Sequence, residues 1–431
     1  MQQRIPFLFV LVLAAALLPA HAARWTANPE QPLQPVLDRA AAGDEVVLPP
    51  GHYSGAITIE QPLTLIGMPG AVLDAEAKGT AVRVRAPHVR LEGLSIRNWG
   101  RDLTAMDAGI FVEAAAEAVH IEANHLQGAA FGIWLDGAPN ARVIGNRIQG
   151  LPELRSQDRG NGVHLFNVRN AQIVDNEIWQ VRDGIYIEVS NQNLLRGNRM
   201  RDLRYGVHYM YSFDNHVVGN YTTGTRTGYA LMQSKRLTVV GNRSENDQNY
   251  GILLNNITHS TLRDNHVESV RQGSNPGGAE ISGAEGKALF VYNAQFNEFI
   301  DNRFADSDIG IHLTAGSEDN VIVGNAFVGN YKQVKYVATR EQEWSRDGRG
   351  NYWSDYLGWD LDGDGRGDVP HEPNDAVDQL LWRYPSAKLL MHSPAVQVLR
   401  RAKRQFPGVR PPGVQDSHPL MSEPRRQEYP L

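Results

Sequence analysis

Along most of this chain apolar and polar residues alternate in runs too short for a helix, and the runs recur at a fixed spacing. Gly184-Ile-Tyr-Ile is followed by Asn198, Gly206-Val-His-Tyr by Asn220, Gly228-Tyr-Ala-Leu by Asn242 and Gly251-Ile-Leu-Leu by Asn265. Glycine to asparagine is 14 residues each time, and glycine to glycine is 22, 22 and 23. The register runs back through Gly162/Asn176, Gly132/Asn146 and Gly109/Asn124, and forward to Ala288/Asn302 and Gly310/Asn325. Period-2 alternation marks strands, and a repeat of this length marks units that bury a core only by stacking on one another. The pattern predicts an all-β fold, a parallel β-helix with three short strands per coil. It should be right-handed, as parallel crossovers almost always are. The regular coils from Gly109 to Phe327 then form a rod about 40 Å long, at about 4.8 Å per layer.

The departures from the repeat divide the rest of the chain. Residues 1–22 read as a secretory signal: Arg4, an apolar run from Phe7 to Leu18, and an Ala20-His21-Ala22 cleavage site. Residues 23–60 hold a helical candidate, Pro35 to Gly43, expected to cover the open end of the rod, and the first strands. The β-helix is assigned to residues 61–330, with loop insertions at 151–159 and 271–285; such insertions gather on one face and shape binding sites. Residues 331–385 suit a C-terminal cap that includes an Asp-rich loop. Residues 386–431 contain an apolar stretch, the basic run Arg400 to Arg404, and a tail from Pro407 whose proline and charge predict disorder.

Composition narrows the chemistry. Among 431 residues there is no cysteine, so neither a disulfide nor a thiolate ligand is available, and stability must come from stacking. The net charge of −6 and the lack of a basic, aromatic-interleaved groove exclude nucleic acid as a partner. The recurrent asparagines read as structural, because asparagine accepts unusual backbone angles and stacked amides bond along a rod.

Alternation also sorts the side chains within each coil. Residues one and three after the glycine are nearly all aliphatic and should line the core; residues two and four should face out. The outer columns read Phe111, Trp134, His164, Tyr186, His208, Ala230, Leu253, Phe290, His312 and Glu113, Asp136, Phe166, Glu188, Met210, Met232, Asn255, Tyr292, Thr314. An aromatic, histidine and methionine face points to binding rather than solvation. His164, His208, Met210 and Met232 offer imidazole and thioether ligands without thiolate, a set suited to Cu(I). Asp360, Asp362, Asp364 and Asp368 follow the D-x-D-x-D-G opening of a calcium loop, although His371 stands where its bidentate glutamate belongs. Arg182, Asp183, Glu188 and Glu113 are the charges an outer face would offer a uronate enzyme, yet they do not concentrate in a constellation.

The export signal, the Ala-Gly-Asp-Glu-Val-Val-Leu-Pro-Pro-Gly-His-Tyr53 opening, the coils, and above all the close Gly350-Asn-Tyr-Trp-Ser-Asp-Tyr-x-Gly-x-Asp-x-Asp-Gly-Asp-Gly-x-Gly-Asp-x-Pro370 resemble the NosD family of periplasmic accessory proteins for nitrous-oxide reductase maturation. The resemblance covers the whole mature chain and implies a non-enzymatic role. It further implies work with an ABC-type ATPase and its membrane subunit, a copper chaperone and the apo-reductase, membrane association coming through the transporter. The family supplies no ligand set, so the copper residues rest on alternation alone. The alternative is an exported carbohydrate-active β-helix enzyme, a lyase or epimerase.

Overall fold

The computed structural model describes residues 22–272, 285–337, 340–373 and 413–425. The signal segment, most of the 271–285 insertion and the stretch from Leu389 to Arg404 lie outside the described residues. Three parallel sheets of 13, 12 and 13 strands run the length of the chain, each coil contributing one strand to each sheet. The repeat therefore folds as a parallel β-helix. In the 12-stranded sheet, which carries the glycine-led runs, residues of successive coils pair in strict register: Ile185 with Val207, Val207 with Tyr229, Tyr229 with Ile252. These side chains and the aliphatic centres of the other two sheets form one continuous core. Among the described residues no helix is long and apolar enough to cross a membrane.

The asparagine column is a hydrogen-bonded ladder inside the rod. Each amide from Asn124 to Asn325 donates to the Oδ1 of the asparagine one coil on, over about 3 Å, and the same oxygen accepts that residue's backbone N–H. All are at most 1 % exposed. Their backbone angles are ordinary. The left-handed conformation falls one residue earlier, at Ala123, Gly145, Asp175, Gly197, Gly219, Gly241, Asp264, Asp301 and Gly324. Asparagine is thus chosen for its amide, and the expected tolerance of unusual angles plays no part at these positions.

Glycine is required for a different reason. A methyl group on Gly132, Gly162, Gly184 or Gly206 would sit 2.5–2.6 Å from the carbonyl oxygen of the equivalent glycine in the next coil. The same methyl on Gly184 would meet Met200 and Leu203 of the core. The glycine therefore faces inward, as does the residue after it, and strict alternation breaks there. The residue before each glycine consequently lies on the outer face.

Both ends differ from expectation. The helix spans only Gln34–Leu37, because the Asp44 carboxylate captures the Ala41 N–H at 2.9 Å together with the Ala23 N–H and the Trp25 indole. Leu33, Leu37 and Ala40 are still buried against the core, so a lid exists. Residues 413–425, expected to be disordered, dock on the cap: Val414–Gln415 pairs with Gln342–Glu343. Asp416, fully buried, ends the asparagine ladder by accepting the Asn351 N–H at 2.7 Å and the Trp353 indole N–H at 2.8 Å.

A polar cluster stands beside the core at Tyr229. Tyr229 is the bulky member of its column, and it is accommodated by small Thr222 and Ser244 in the adjoining sheet. Beside them Asp247, 1 % exposed, accepts from Ser244 Oγ at 2.5 Å and from the Thr225 hydroxyl and N–H at 2.7 Å. Burial nonetheless pushes its carboxyl up to about 6. A raised folded-state pKa stabilises fully below the unfolded value near 4 and is lost as pH rises through about 6. Asp247→Asn should therefore be the more stable protein at pH 8, by about 3 kcal/mol at most, with the difference gone below pH 4. Urea titrations of both proteins at the two pH values test this; equal gaps at pH 4 and pH 8 would refute it.

Candidate metal site on the glycine-led sheet

The predicted outer column exists, residue against residue: Trp134 pairs with His164, His164 with Tyr186, Tyr186 with His208, and His208 with Ala230. It faces away from the core, yet it is sheltered. Trp134, His164 and His208 are each less than 10 % exposed. The rings follow one another along the rod, with centroids 3.9 Å apart for Trp134–His164, 4.7 Å for the edge-on pair His164–Tyr186 and 4.4 Å for the stacked pair Tyr186–His208. In the second column Glu188 pairs with Met210 and Met210 with Met232. Both methionines are partly exposed.

Three of the four predicted copper ligands therefore share one patch. His208 and Met210 are alternate residues of the strand Tyr205–Met210, and Met232 lies one layer on. Ala230, one layer on from His208, ends the run of rings, and Leu253 follows it.

His164 stands apart, two layers from His208 with the Tyr186 ring between them. Its Nδ1 accepts from the Asn161 amide nitrogen at 3.2 Å. The Asn161 oxygen is taken by Arg182 Nε at 3.3 Å, which can only donate, so the amide cannot turn round. The His164 proton is thus held on Nε2, 3.7 Å from Glu188. Burial holds the His164 imidazole below its usual range, while the imidazole beside it holds the Glu188 carboxyl below its own. His164 presents a proton where a metal needs a lone pair.

Asp183, which the sequence offered only as one of the outer-face charges of a uronate enzyme, stands behind His208. It precedes Gly184, and the break in alternation turns it outward. It is fully buried, takes Arg204 at 2.8 and 2.6 Å, and reaches His208 Nδ1 at 3.1 Å. Burial pushes its carboxyl up, but the Arg204 and His208 hydrogen bonds outweigh this and keep it below its usual value. Strict period-2 alternation alone would turn the residue before the glycine indoors; the steric demand on the glycine is what keeps Asp183 on the outer face.

The Asp-rich loop comes together in part. Asp360, Asp362 and Asp364 offer oxygens within 4.8 Å of one another. The Asp360 carboxylate also accepts the Gly363 and Gly365 N–H groups at 2.7 and 2.9 Å. Asp368 is not in this group, since its Oδ2 accepts the Leu361 N–H at 2.8 Å. His371 packs on Trp353 and Tyr356.

A family model described as "Periplasmic copper-binding protein (NosD)" matches residues 144–358. A Stutzerimonas stutzeri protein named "Probable ABC transporter binding protein NosD" is 57% identical over 377 residues, covering 88% of this chain and 86% of its own length. A Pseudomonas aeruginosa protein of the same name is 57% identical over 380 residues, with 88% and 89% covered. Among solved structures, a family 28 exopolygalacturonase from Yersinia enterocolitica superposes with TM-score 0.54 at 11% identity, covering 73% of this chain and 77% of that one. The DFA-IIIase of Arthrobacter chlorophenolicus A6 without its lid gives 0.55 at 14% identity, with 78% and 100% covered. At such identities these structures share the fold and carry no activity across.

Proposed function

Because the chain belongs to the NosD family of periplasmic copper-binding proteins, we propose that it is a periplasmic, non-catalytic scaffold that receives Cu(I) and presents it to apo nitrous-oxide reductase. On this reading an ABC-type ATPase with its membrane subunit is its constant partner, and a copper chaperone delivers the ion. Residues 1–22 serve as the export signal. The observation that carries the reading is the His208, Met210 and Met232 patch. One imidazole and two thioethers, all neutral, hold a soft monovalent ion and let it leave by ligand exchange. Tyr211, next to Met210 in the chain and 52% exposed, supplies an apolar edge for a protein surface.

A uronate enzyme is the less favoured reading, because the three acids it would call on are committed elsewhere. Glu113 is bound by Arg83 and Arg85, Asp183 by Arg204, and Glu188 stands beside His164.

The test exchanges thioether for hydrocarbon of like volume. Met210→Leu with Met232→Leu should weaken Cu(I) binding at least tenfold in competition with a chromophoric chelator, while unfolding stability changes by less than about 1.5 kcal/mol. Undiminished binding would remove the patch from copper handling. The Asp360, Asp362 and Asp364 group is proposed as a Ca²⁺ site that stiffens the cap. Adding calcium to chelator-treated protein should slow hydrogen exchange in residues 352–371 and leave the coils before Asn302 untouched. Exchange that ignores calcium would dispose of this site.

A further inference from the structure

Asp183 and Arg204 decide what His208 can do. Asp183 has no exposed surface, and its two oxygens receive the Arg204 guanidinium as a fork at 2.8 and 2.6 Å. That clamp fixes the carboxylate in the ionised, acceptor-only form. The only partner His208 Nδ1 meets is one of these oxygens, at 3.1 Å, so Nδ1 must carry the proton and donate it. In neutral imidazole the other nitrogen then holds a free lone pair. His208 Nε2 makes no hydrogen bond among the described residues. It belongs to the face that also carries Met210 and Met232.

We propose that Asp183, locked by Arg204, is the positioning residue that holds His208 as a ligand through Nε2, making His208 rather than His164 the imidazole of the copper site. A carboxylate behind a ligating histidine fixes its tautomer and ring orientation and strengthens it as a donor. The two histidines of the column make the contrast internal to the molecule. Both are sheltered and packed against aromatic rings. His164 is bonded at Nδ1 by an amide nitrogen and carries its proton on Nε2; His208 is bonded at Nδ1 by a carboxylate and carries its proton on Nδ1. The inference rests on the copper reading above and deepens it.

The experiment reads tautomer and metal separately, on the exported full-length protein. Long-range ¹H–¹⁵N correlation spectra of ¹⁵N-histidine-labelled, metal-free protein report which ring nitrogen bears the proton, with His208→Gln and His164→Gln assigning the signals. The wild type should show His208 protonated on Nδ1 and His164 on Nε2. Adding Cu(I) should move the His208 Nε2 resonance and leave that of His164 in place. Asp183→Asn should return His208 to a mixture of tautomers and weaken Cu(I) binding by about tenfold to a hundredfold. Arg204→Lys, which keeps a charge but loses the fork, should fall between. A wild-type protein that binds Cu(I) with His208 protonated on Nε2, or with affinity indifferent to Asp183→Asn, overturns the positioning role and leaves the copper reading standing. A wild type that binds no Cu(I) overturns the copper reading and this inference with it. Should Asp183→Asn fail to fold, the wild-type tautomer and its response to Cu(I) still decide the matter.

Discussion

Asn198→Leu is expected to cost the rod about 3–5 kcal/mol, as two or three buried polar groups left unpaired at 1–3 kcal/mol each. The Asn198 oxygen accepts the Asn176 N–H at 3.1 Å and the Asn176 amide at 2.9 Å. Its own amide donates to the Ile173 carbonyl at 2.8 Å and to Asn220 Oδ1 at 2.9 Å. Leucine fills nearly the same volume, so the loss isolates hydrogen bonding from packing. Water cannot repair it, because every partner lies inside the coil stack. Since coils stabilise one another only through their neighbours, a fault in a central coil should also lower the cooperativity of unfolding. Urea denaturation followed by circular dichroism measures both, with exposed Glu153→Ala as control. A midpoint equal to that of the parent would show the ladder to be dispensable.

Gly184→Val should be comparably damaging through sterics alone. The added Cβ would lie 2.5 Å from the Gly206 carbonyl oxygen, 2.9 Å from Met200 Sδ and 3.0 Å from a Leu203 methyl. The side chains can move, but the carbonyl cannot shift without breaking the parallel pairing of its strand. We expect a loss of about 3 kcal/mol, the upper end for overpacking a core, and a disturbance that reaches Asp183 and so His208. Gly145→Ala offers the matched contrast. Gly145 has φ +61° and no atom within 4 Å of an added methyl. It should lose only about 1 kcal/mol, the cost of a left-handed alanine. If the two substitutions prove equally mild, close stacking of the coils at the glycine column is wrong.

The proposed copper patch illustrates how the facing of a strand can be legible while the chemistry of its side chains is not. Alternation placed His164, His208, Met210 and Met232 outside, and register brought the last three together. What distinguishes the two histidines is the group behind the ring: an Asn161 amide for one, an Asp183 carboxylate for the other. Both of those residues immediately precede the glycine-led run, where the chain departs from simple alternation. Asp183 lies 25 residues from His208, so neither local spacing nor residue type announces the pair.

The sequence by itself determined the coil, its period, the register of its sheets and the ladder within it. Each follows from short-range repetition: period-2 alternation sorts side chains, and a constant coil length makes like residues stack. Tertiary structure alone decided three things. It set the facing of the residue before each glycine, because only the approach of the next coil's carbonyl forces the glycine inward. It brought Asp416 from the tail to close the ladder, because only the finished rod exposes an unpaired Asn351 N–H to be met. And it chose between two histidines of one column, because a proton's place on an imidazole is settled by what touches the ring in space, not by where the ring stands in the chain.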